Sequence, residues 1–134
     1  MKIKKILAVA FIGLSLHVNV SAHEKIFVVE RESNSVAVIE DGLPRNHMKN
    51  MHNMNHGVMK FYDNDGYLIS RDGFIIRFDP RSEKKLNEYK TSKSAIGFII
   101  NKNYVAVANY DDKSVDILTR DLKPIEKIKH SHEM

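Results

Sequence analysis

Tyr67-Leu68-Ile69-Ser70-Arg71-Asp72 has two counterparts in the chain, Ile26-Phe27-Val28-Val29-Glu30-Arg31 and Tyr104-Val105-Ala106-Val107-Ala108-Asn109. Each is a short apolar run, rich in β-branched and aromatic residues, that ends in polar ones, as a strand does on reaching a turn. A second apolar run follows each copy, from Ser35 to Ile39, from Phe74 to Phe78 and from Ser114 to Leu118. The copies recur roughly every 40 residues, the period of a four-stranded propeller blade.

The rest of the chain fits around these pairs. Strand patterns lie near 25–30 and 35–40, followed by a turn at Asp41-Gly42-Leu43-Pro44. A second set opens at His56 to Tyr62, turns at Asp63-Asn64-Asp65-Gly66, and continues through 67–71, 74–79 and 85–91. The third covers 96–100, 104–109, 114–119 and 124–129. The connections are too short for parallel crossovers, which need about a dozen residues or more. The expected fold is therefore all-β: antiparallel four-stranded blades of a β-propeller. Continuous apolar runs such as Phe98-Ile99-Ile100 suit sheets covered on both faces. A lone β-sandwich of similar strand count is the alternative. About three blades are present, whereas closed propellers typically have about four to eight.

The start of the chain reads as a leader. Met1-Lys2-Ile3-Lys4-Lys5 is a positive n-region, Ile6 to Leu16 an apolar core, and Val20-Ser21-Ala22 a small-residue cleavage site. Residues 1–22 are thus an expected signal peptide and 23–134 the partial propeller, which points to a periplasmic protein with no stable membrane insertion after cleavage. The formal charge of +4 includes Lys2, Lys4 and Lys5, so removing them leaves +1. The clustered basic surface that nucleic acid requires is missing from the remainder. With no cysteine, the chain has no disulfide framework, thiol nucleophile, thiolate metal site or Cys-x-x-Cys-His haem attachment. Gly-x-Ser-x-Gly, His-Glu-x-x-His and phosphate-cradling glycine loops are absent too, so nothing marks a hydrolase.

Two constellations could carry chemistry. The first is His47-Met48-Lys49-Asn50-Met51-His52-Asn53-Met54-Asn55-His56, with three thioethers and three imidazoles in ten residues. Such ligands suit copper, and thioether favours Cu(I). The alternative is a polar loop in which Met fills gaps. The second is His56 itself, expected at the head of an innermost strand, with Gly57 leaving room beside it for a flat ligand. A neutral imidazole there is either a haem-iron ligand or a structural side chain. Arg71, before the Asp72-Gly73 turn, could pair with a ligand carboxylate or with Asp72 or Asp79. Tyr110, at the matching corner of the third set, could line a pocket or cap a blade edge.

With these residues on view, the chain resembles the haem d1 domain family, the eight-bladed propellers of cytochrome cd1 nitrite reductase and its relatives. The resemblance rests on Val28 to Ile39, Asn53-Met54-Asn55-His56, Gly66 to Gly73 and Val105 to Tyr110. The Val-Glu-Arg opening and the missing c-type haem motif look more like the NirF-type haem d1 biosynthesis proteins than the reductase. The resemblance implies haem d1 or its dihydro precursor as cofactor, with His56 at the iron, Arg71 on a ring carboxylate and Tyr110 as a looser match. It also implies a role in nitrite reductase maturation and denitrification, as a carrier or as catalyst of a late oxidation step. Partners implied are the tetrapyrrole, nitrite reductase, or a second polypeptide completing the propeller. The family's ring has further blades, so a truncated gene, a second polypeptide that completes the ring, copies that assemble with each other, and a non-functional remnant are the readings of the short length. A periplasmic copper-binding module built on segment 47–56 is the rival function.

Overall fold

A computed structural model describes residues 23–130; the expected leader, residues 1–22, lies outside them. Eleven strands follow one another: β1 (Lys25–Glu30), β2 (Ser35–Glu40), β3 (Leu43–Met48), β4 (Val58–Tyr62), β5 (Asp65–Ile69), β6 (Phe74–Asp79), β7 (Lys84–Lys90), β8 (Ala95–Ile100), β9 (Tyr104–Asn109), β10 (Ser114–Thr119) and β11 (Pro124–Lys129). They form three antiparallel meanders, β1-β2-β3, β4-β5-β6-β7 and β8-β9-β10-β11. No helix interrupts them among the described residues, and none there could cross a membrane.

The expected all-β fold of antiparallel blades is thus present. The second and third copies of the phrase are the second strands of four-stranded sheets, whereas the first copy, β1, opens a sheet of three strands, not the expected four, whose β1-β2-β3 match the last three strands of the others. One further detail differs. Phe27 and Val29 pair with Val38 and Val36 and face the second sheet, as Tyr67 and Ile69 face the third. Because side chains alternate between faces, the first copy aligns one residue later than its letters suggest, with Phe27 in the place of Tyr67.

The region between the first two blades departs further. The turn is only Asp41-Gly42, both at positive φ (51° and 77°), which matches the hairpin turn that a right-handed strand twist favours. Leu43 and Pro44 therefore belong to β3 rather than to the turn. Pro44 is tolerated because β3 is an edge strand, where its missing N–H breaks no ladder. His56 precedes the innermost strand instead of opening it: β4 begins at Val58, and His56 sits in a turn at φ 63°.

Two cores lie between the sheets. The first joins Val36, Val38, Met48, Met51 and Met54 to Leu68, Ile76 and Phe78. The second joins Tyr67, Ile69 and Ile75 to Phe98, Val105, Val107 and Leu118. The middle sheet is covered on both faces, which is why β5 reads as an uninterrupted buried run. Polar contacts reinforce the second junction. Tyr67 donates its hydroxyl to the Arg120 carbonyl at 2.9 Å. Buried Asn109 accepts from Thr91 of the preceding connector at 2.7 Å and donates to Asp116 at 2.7 Å. Among the described residues every buried side-chain polar atom is paired, as a low-dielectric interior requires.

Candidate functional site

The turns after β1, β5 and β9 gather at one end of the stack, where the 49–57 connector bonds both Asn34 and Arg71, and Thr91 bonds both Gly73 and Asn109. The connectors leading into β4 and β8 reach that same end. His56, Arg71 and Tyr110 all lie there: His56 on the 49–57 connector, Arg71 in the β5–β6 turn and Tyr110 in the β9–β10 turn. The three predicted residues therefore share an end, each on a different loop.

The connector carrying His56 is held from both blades. Asn34 accepts the Met54 N–H on its side-chain oxygen and the Met51 N–H on its carbonyl, both at 3.1 Å. The Arg71 N–H donates to the Asn53 carbonyl at 2.8 Å, and the Asp72 carboxylate takes the Asn53 N–H at 3.0 Å. A bond from the Gly57 N–H to the Met54 carbonyl closes the turn around His56. Arg31 donates to the Asn55 side chain beside it. Burial works against ionisation of Asp72, but the Ser70 hydroxyl and the Asn53 N–H still hold its carboxyl below the ordinary value.

The third blade repeats the device. The Tyr110 N–H donates to the Ser94 carbonyl at 2.9 Å, and the next residue, Asp111, accepts from Ser92, Lys93 and Ser94. Arg71-Asp72 and Tyr110-Asp111 are therefore equivalent corners, each with an acidic residue clasping the incoming connector. Sequence reasoning singled out Arg71 and Tyr110 but missed Asn34, Asn53 and the two aspartates. The recurring Asp after the corner residue was the available signal.

Gly57 serves packing rather than a ligand. A β-carbon there would stand 3.1 Å from Val29 and 3.3 Å from the Met54 sulfur. The methionines are likewise structural. Met48, Met51 and Met54 are buried in the first core, not gathered around an open loop. The expected Cu(I) site thus loses its thioethers to the hydrophobic effect. Among the described residues no group of three or more histidines and carboxylates is placed to hold a metal.

The three histidines of the tract separate by partner. His47 bonds Glu30 at 2.9 Å. His52 bonds Glu88 at 2.7 Å and stacks on Phe74 at 3.6 Å between centroids. His56 is exposed, and among the described residues its ring has no hydrogen-bond or ion-pair partner. Arg71 is exposed and equally free: Asp72 binds Asn53, and Asp79 binds Ser82 and the Arg81 N–H. Tyr110, 73% exposed, lines an open cavity of about 600 Å³ with Ile96, Ala108, Val115, Lys113 and His130. That cavity lies on the outer face of the third sheet.

Among solved structures, the chain superposes on dihydro-heme d1 dehydrogenase NirN, solved in complex with DHE, with a TM-score of 0.71. The blades are those of a β-propeller. Sequence identity is 22%, over 81% of this chain and 25% of NirN, so the chain spans about a quarter of that protein's length. No family model and no curated protein matches the sequence.

Proposed function

We propose that this chain is the blade-forming part of an exported haem d1 protein of the NirF type, which binds haem d1 or its dihydro precursor in the periplasm and supports nitrite reductase maturation. The observation that carries the reading is the free pair of side chains at one end of the stack. Of three clustered histidines, His47 and His52 are engaged by glutamates and His56 is not, while Arg71 lacks a carboxylate partner among the described residues. A fold likeness to a haem d1 dehydrogenase adds support.

The donor set fits a tetrapyrrole: an imidazole for iron and a guanidinium for a ring carboxylate. His56 would hold the iron, from a connector that both blades clasp. Arg71 would pair with a carboxylate at the rim. Tyr110 would flank the ring from the next corner. When bound, the tetrapyrrole supplies the redox chemistry. The wall beyond these three corners would come from a further polypeptide or from further blades.

Titration of the purified chain with haem d1 should shift the Soret band, and His56→Ala should abolish the shift while leaving the β-sheet circular dichroism unchanged. His52→Ala serves as the neighbouring control. A shift that survives His56→Ala would remove the iron assignment, and the lack of any shift in the unaltered chain would remove the binding reading.

A further inference from the structure

The two outermost sheet faces are complementary to each other. Call the face of each blade that meets the next blade its front, and the other its back. The fronts of blades one and two, and the backs of blades two and three, are buried in the two cores. The front of blade three and the back of blade one are not. The front of blade three displays Ile96, Ile99 and Tyr104 at 57%, 66% and 47% exposure. Pairing places Val115, Ala108 and Ile128 on the same face. The back of blade one displays Ile26 and Val28 at 47% and 41%, beside Ala37 and Ile39. Contiguous exposed apolar residues of this kind mark an interaction surface.

The internal junctions show what such a face accepts. At each, a charged residue two places before the aligned aromatic of the second strand meets the turn between the third and fourth strands of the next blade. Lys25, two before Phe27, pairs with Glu83 at 2.9 Å. Asp65, two before Tyr67, lies 3.6 Å from Arg120. In blade three the corresponding residue is Lys102, two before Tyr104. Its side chain is exposed and unpaired among the described residues. The corresponding turn of blade one carries Asp41, half exposed and bonded on one oxygen by His23 at 3.0 Å. At the opposite end, Lys113, His130 and Asp111 border the blade-three front, while Glu30, bonded by His47, borders the blade-one back. By this correspondence Lys102 of one face would meet Asp41 of the other, as Lys25 meets Glu83 and Asp65 meets Arg120 within the chain.

We propose that the front of blade three docks on the back of blade one of a second copy of this chain. The contact is heterologous, one patch against a different patch. This contact does not depend on tetrapyrrole binding.

The test is sedimentation of the purified chain. The expected result is a concentration-dependent mass of two chains or a higher multiple at micromolar protein. Ile99→Asp and Val28→Asp, both at exposed positions, should each sediment as single chains with unchanged circular dichroism. Mixed one to one, they should form a dimer and nothing larger, because each retains the face the other lacks. Lys102→Glu should weaken association at least tenfold, and adding Asp41→Lys to the same chain should restore it. A single-chain mass for the unaltered protein, whether or not a different polypeptide is bound, overturns the proposal. So does association that neither aspartate variant weakens.

Discussion

Gly73 shows how one residue fixes a corner of the candidate site. It lies at φ 88°, where side chains are strained, and a β-carbon there would stand 1.9 Å from the Ser92 carbonyl oxygen. Its own carbonyl accepts the Thr91 N–H and hydroxyl, so the β5–β6 turn and the 91–94 connector are pressed together at this point. Gly73→Ala should cost roughly 2–4 kcal/mol, combining backbone strain with a clash that only main-chain movement relieves. Urea unfolding should report it as a lower midpoint with an unchanged slope. His56 behaves in the opposite way. Being exposed and unpartnered, it can be removed without loss of fold, and that separates a ligand-binding effect from a folding one.

At the scale of elements, the 49–57 connector explains why a motif rich in thioethers is not a metal loop. Asn34 fixes its path from below, and the path turns Met51 and Met54 inward beside Met48 at the end of β3. Met54 is fully buried, against Leu68 and Phe78 of the next blade. Met54→Ala should therefore destabilise by about 2–5 kcal/mol, the cost of a buried cavity, whereas Met54→Leu should cost under about 1.5 kcal/mol because volume is conserved. Thermal unfolding monitored at the sheet band would measure both. Equal losses for the two variants would show that the sulfur, not the packing, matters.

Over the whole molecule, carboxylates add to the apolar cores, both between blades and within them. A bond from Lys25, and then one from Asn46, holds the Glu83 carboxyl below its ordinary value. The Ser114 hydroxyl, with Lys127, does the same for Asp112, and the Ser92 hydroxyl for Asp111. Folding thus favours their ionised forms, and the unfolded chain binds more protons at low pH. This stability is complete above the unperturbed values of 3.8 and 4.5 and is lost as pH falls through the depressed ones. Urea midpoints should accordingly fall mainly below about pH 4.5. Because these groups lie at the surface or only partly covered, the loss should be modest and reduced by salt.

Much of this was legible before any coordinates. Period, turn residues and β-branched runs specify strands, and strands joined by short turns can only be antiparallel meanders, so the blades followed from local rules. The corner positions of Arg71 and Tyr110 followed too, because a strand that ends at a turn ends at a face of the stack. Three things were decided only by the assembled sheets. The register of the first repeat depends on which face of β1 meets the second blade, and letters alone cannot tell one face from the other. Met48, Met51 and Met54 are core rather than ligands because a neighbouring sheet covers them. His56 is free while His47 and His52 are not, because Glu30 and Glu88 arrive from strands remote in sequence. Local periodicity determines elements; which face is covered, and which side chain finds a partner, depends on what packs against it.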